Sequence, residues 1–116
     1  MAGDNLFELY PLRRKEILWE ESAPGVLTLI FPRAGLLDKL LHRLFKTPTL
    51  IKVDLDEMGS LVWRLSDGKN QVYQIARAMG ENFGTLSEPV NERLITFLRI
   101  LKNNGWIKLA RKKDRA

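Results

Sequence analysis

Between Asp54 and Gly105 the chain carries three amphipathic stripes, each ended by a glycine, and this segment dictates a small helical bundle before anything else is considered. Leu55, Met58, Leu61, Val62 and Leu65 form the first stripe. Asp54, three residues ahead of Glu57, is its expected N-cap, with the Glu57 carboxylate reaching back, and Ser66-Asp67-Gly68 ends it. Asn70 is the expected cap of a second helix, in which Val72, Ile75, Ala76, Met79 and Phe83 share a face up to Gly84. The third opens at Glu88-Pro89, where proline is tolerated in a first turn, and runs to Asn104 on Val90, Leu94, Phe97, Leu98 and Leu101. Gly105 stops it, and Trp106-Ile107-Lys108-Leu109 alternates as a short last strand.

Extended structure precedes the bundle. Glu16-Ile17-Leu18-Trp19-Glu20 and Val26-Leu27-Thr28-Leu29-Ile30-Phe31 flank the turn-forming Ser22-Ala23-Pro24-Gly25, which predicts a β-hairpin closed off by Pro32. Leu36, Leu37, Leu40, Leu41, Leu44 and Phe45 then recur at helical spacing, and Thr49-Leu50-Ile51-Lys52-Val53 resumes as a third strand. The expected fold is α+β: a winged helix-turn-helix-like three-helix domain preceded by a small three-stranded antiparallel sheet. Residues 1–15 are expected to be an irregular lead-in, 16–109 the domain with an amphipathic helical insertion over 35–46, and 110–116 a basic tail.

A chain of 116 residues can bury roughly two-thirds of the surface its unfolded form exposes, enough for one core. It has no cysteine, and its single histidine, His42, falls on the polar side of the insertion. Thiol chemistry, Cys-based zinc and multi-His metal sites are thereby excluded. The glycines are dispersed, without a phosphate-binding loop, and Asp54, Asp56 and Glu57 sit where a helix start favours negative charge. The reading is a protein that is not an enzyme and holds no cofactor and no metal. No apolar run is long enough to span a bilayer and the start lacks a secretory signal, so the expected location is the cytoplasm, with no membrane partner. Lys+Arg number 19 against 14 Asp+Glu, for a net charge of +5, and from Arg99 onward seven basic residues face Asp114 alone.

Three functions fit these patterns. A winged helix could set its third helix in a DNA major groove with Asn91, Arg93, Arg99, Lys102 and Asn103, but Glu88 and Glu92 crowd the half of the helix where base contacts are made, which argues against nucleic acid. A structural interaction domain is a further alternative. The third reading is peptide capture. Ile100 lies off the core stripe beside Arg93, Phe97 and Asn104, an edge that is half apolar and half polar, and the strand from Leu50 offers a backbone edge that can template an added strand or pair two copies into a homodimer. Trp63 also lies off its stripe, with Gly59 one turn before it, and is expected to pack on the sheet.

The stretch Lys52-Val53-Asp54-Leu55-Asp56-Glu57-Met58-Gly59-Ser60-Leu61-Val62-Trp63-Arg64-Leu65-Ser66-Asp67-Gly68, followed by Val72, Ile75-Ala76, Phe83-Gly84, Val90, Phe97-Leu98, Leu101 and Gly105-Trp106-Ile107, resembles the PqqD family, named for coenzyme pyrroloquinoline quinone (PQQ) synthesis protein D. The resemblance covers residues 16 to 109. It implies a non-catalytic peptide chaperone, a recognition element for ribosomally made peptides that are later modified. Such a protein takes a precursor's leader as an extra strand and presents it to a modifying enzyme, often of the radical S-adenosylmethionine class. Mapped here, the groove uses Leu50, Ile51, Lys52 and Val53 from the strand and Arg93, Phe97, Ile100 and Asn104 from the helix, with Lys52, Arg93 and Lys108 selecting acidic leader residues. The chain departs from the proteins of quinone synthesis proper, in which a Pro-Glu-Gly leads almost directly into the next element; here Pro32 is followed by Arg33-Ala34-Gly35 and the insertion. The insertion reads as a lid, a docking helix or a cover for the sheet.

Overall fold

The computed structural model describes residues 5–32 and 50–115. The insertion over 35–46 and His42 lie outside the described residues. The fold is α+β. Strand β1 (Tyr10–Arg13) is followed by β2 (Leu18–Ala23), β3 (Val26–Pro32) and β4 (Leu50–Asp54), then helices α1 (Glu57–Leu65), α2 (Val72–Phe83) and α3 (Val90–Asn103), and last β5 (Ile107–Ala110). β2, β3 and β4 form an antiparallel three-stranded sheet in that order, and β1 pairs with β5 in a second, two-stranded sheet.

Several boundaries differ from the sequence pattern for identifiable reasons. The described part of the lead-in, from residue 5, is not irregular. Residues 6 to 8 form a 3-10 turn, and β1 pairs Tyr10 with Ala110 and Arg13 with Ile107. A four-residue strand containing a proline, whose partner lies at the far end of the chain, shows no period of its own. At α1 the N-cap is Asp56, whose Oδ1 accepts from the Gly59 N–H at 2.6 Å. Asp54 instead ends β4 and accepts from the Thr28 hydroxyl at 2.6 Å. α2 is capped by Gln71 in a box with Gln74, while Asn70 donates to the Leu65 carbonyl. Pro89 is the N-cap of α3, one residue ahead of its first turn.

The core lies where the three helices meet the inner face of β3. Trp63, Val62, Ile75, Leu94, Leu98 and Leu101 are buried together with Leu27 and Leu29. The Trp63 indole thus packs in a layer shared with the sheet, as its position off the stripe suggested. One hydrogen bond pegs sheet to helix: the Leu27 N–H donates to Ser60 Oγ at 2.8 Å in a buried position. The Leu27 carbonyl in turn accepts from the Leu55 N–H at 2.8 Å.

Arg13 joins the other sheet to the same helix. Its guanidinium donates to the carbonyls of Trp63 and Arg64, each at 2.7 Å, at the C-terminal end of α1, where the helix dipole favours a cation. It also lies 5.3 Å from the centre of the Trp19 ring, a cation–π contact that ties β2 to the clamp. Burial lowers the Arg13 pKa and nearby Asp67 partly restores it. A guanidinium stays protonated under these conditions, so the clamp remains charged at all ordinary pH.

Candidate functional site

β4 is an edge strand, and its ladder phase decides what that edge offers. The Leu55 N–H bonds to the Leu27 carbonyl, one step beyond the Thr28–Asp54 pair. In an antiparallel ladder the inward and outward residues alternate, so Val53 and Ile51 turn their amides and carbonyls to β3, whereas Asp54, Lys52 and Leu50 turn theirs outward. Among the described residues no strand pairs with that outer side.

Side chains alternate in the same register. Ile51 and Val53 stand opposite Phe31 and Leu29 on the helix-facing side. Val53 packs on the core, and Ile51 keeps 47% of its surface exposed. Phe31 lies against Trp106, ring centres 4.6 Å apart. Lys52 stands opposite Ile30 on the other face, beyond which lies Leu18. The expected strand residues therefore divide: Ile51 and Val53 face the helices, while the Lys52 side chain faces away and its backbone serves the edge.

Beside the end of β4 a cavity of about 430 Å3 opens between α1 and α3, lined by Asp54, Met58, Gly59, Met79, Arg93 and Phe97 among others. A shallower depression of about 400 Å3 continues along α3 past Thr96 and Ile100. Arg93 and Phe97 line both, so they form the ridge between them. Gly59 makes the arrangement possible, since a Cβ there would stand 2.9 Å from Asp56 Oδ1 and 3.2 Å from Phe97 Cζ. The glycine one turn before Trp63 thus admits an aromatic ring of α3.

The helix residues expected at the groove are placed unequally. Phe97 is partly buried against the core and Ile100 is 51% exposed. The Arg93 guanidinium lines both hollows while donating to the Leu86 carbonyl. Asn104 directs its side-chain N–H to the Ile100 carbonyl at 2.7 Å. Lys108 lies in β5 opposite Leu12 and lines a different depression, apart from Lys52 and Arg93. Sequence periodicity missed Met58, Met79 and Asp56. The two methionines read as core-stripe positions, and nothing in a stripe distinguishes a residue facing a cavity from one facing a side chain.

Among the described residues no group of His, Cys, Asp or Glu side chains could hold a metal ion, and no helix is long and apolar enough to cross a membrane. What the site offers is main-chain hydrogen bonding beside a partly apolar trough, the equipment of a binding module. The family model for coenzyme PQQ synthesis protein D matches residues 50–107, half of the chain, from the first residue of β4 to the first of β5. The chain belongs to the PqqD family, whose members are accessory proteins of PQQ synthesis. Comparison with curated proteins and with solved structures gave no match. Nothing found supports the DNA-binding alternative.

Proposed function

We propose that this protein is a non-catalytic carrier in the cytoplasm that takes the leader of a ribosomally made precursor peptide as a further strand on β4 and presents it to a peptide-modifying enzyme. The outward amides and carbonyls of Lys52 and Asp54, next to the cavity under Phe97, carry this reading. A strand added there bonds to the main chain at Lys52, and alternate side chains fall toward Ile51 and Val53 and on to the ridge of Arg93 and Phe97. Main-chain bonds supply affinity for many sequences, and the trough supplies selection. Leu50, Ile51, Lys52, Val53, Arg93, Phe97, Ile100 and Asn104 are the residues assigned to it. Membership of a family named for a peptide-derived cofactor supports the same reading.

Amide shifts test it. The 15N-labelled chain is titrated with a short precursor peptide encoded beside its gene. Shifts are expected over 51–54 and 93–104, and Phe97→Ala should weaken binding by about tenfold or more, as for a central aromatic anchor. Shifts confined to other residues, or binding indifferent to Phe97→Ala, would reject the groove.

A further inference from the structure

Among the described residues a cluster of five basic side chains lies away from the groove. A depression of about 1020 Å3 beside the β1–β5 sheet is lined by Lys108, Arg111, Lys112, Lys113 and Arg115, with Asp114 the lone carboxylate of the lining. Its surplus of four stands beside a net +5 for the whole chain, so the rest of the protein is close to neutral. Tyr10, Leu12 and Ala110 complete the lining with uncharged surface.

This cationic ribbon is seated on the fold. The Asp114 N–H donates to the Gly68 carbonyl at 2.8 Å, and the Gly68 N–H donates to the Pro11 carbonyl at 2.8 Å. Gly68 has φ +79°, and a Cβ there would stand 2.8 Å from Asp114 Cβ and 3.0 Å from Leu12 Cδ1. Only glycine meets both demands. The segment is thus laid across the turn between α1 and α2, which holds the cations beside the two-stranded sheet. None of the residues lining this depression lines the groove or its extension on α3.

We propose that this platform is a second docking surface, which receives an acidic segment of a protein partner carrying an apolar side chain among its carboxylates. The sign of the patch selects carboxylates and steers their approach. The uncharged lining, Tyr10, Leu12 and Ala110, suits a protein segment with an apolar side chain better than a phosphate rail. Groove and platform can be occupied together. That the partner is the enzyme receiving the peptide rests on the strand-addition reading; the charge preference of the platform does not.

The test uses the full 15N-labelled chain and a short synthetic peptide of glutamates around a central Leu-Leu pair. Its lysine counterpart, a short DNA duplex and phosphatidylglycerol vesicles are run at the same ionic strength. Saturable shifts are expected over 108–115 and at Tyr10 and Leu12, and the double substitution K112E/K113E should weaken binding about tenfold while leaving leader binding at β4 unchanged. Shifts centred on the groove, indifference to K112E/K113E, or tighter binding of duplex or vesicles would overturn the proposal. Platform binding without leader binding sinks only the strand-addition reading, and leader binding without platform binding sinks only this one.

Discussion

The two sheets are built on opposite plans. β2, β3 and β4 are paired in chain order, and every residue of β2 is exposed. β1 and β5 come from distant parts of the sequence and are fastened to the helices: the Arg13 N–H bonds to the Ser66 carbonyl at 2.8 Å and the Val72 N–H to the Leu9 carbonyl at 2.9 Å. Among the described residues the first sheet leaves the outer side of β4 unpaired, and the second fastens the bundle. A domain this small can leave backbone exposed in one place because it is tied down in another.

The largest effect should come from removing the residue that touches both sheets. Arg13→Ala deletes two charge-assisted hydrogen bonds and the contact with Trp19, and is expected to lower stability by about 2–3 kcal/mol, read as a lower urea midpoint at unchanged slope. Arg13→Lys should recover less than half of that, because the shorter lysine side chain has no planar cation to lie over the Trp19 ring while its head reaches the two carbonyls. If Arg13→Ala leaves hydrogen exchange in β1 and β5 unaltered, the fastening role is wrong.

Ser60→Ala should come next, at about 1–2 kcal/mol, since it strands the buried Leu27 N–H. Its signature is faster amide exchange in β2 and β3 with β1 and β5 still protected, which sharpens the contrast between the sheets. Equal loosening of both would show that they unfold as one unit.

Lys52→Pro is expected to have the smallest effect on the fold and a large one on binding. The lost N–H points to the open edge, so stability should fall by under about 1 kcal/mol, whereas leader affinity should drop about tenfold as a main-chain bond disappears. Val53→Pro reverses the pattern, because that amide faces β3. Equal damage from the two prolines would contradict the assigned ladder phase.

These contrasts show which features local sequence carries. The hairpin, the third strand and the three helices follow from alternation, stripes and glycine stops, all of which act over a few residues. β1 does not, because Tyr10-Pro11-Leu12-Arg13 acquires meaning only through Ala110, Leu109, Lys108 and Ile107. The cap of α1 was displaced for a similar reason. Asp54 and Asp56 are alike as sequence, and Thr28, from another strand, engages the first and leaves the second to the helix. At the groove, the half-apolar flank of Phe97 and Ile100 was readable from helical angle, whereas the turning of Lys52 to the far face depends on pairing with β3.

The closure of β1 on β5 also orders events during synthesis. Tyr10 leaves the ribosome a hundred residues before its partner Ala110, whereas β2 can zip to β3 as soon as the intervening turn has emerged. The nascent chain can therefore pair β2 with β3 before its ends can be locked, and any factor that occupies the newborn β1 would compete directly with the final step of assembly.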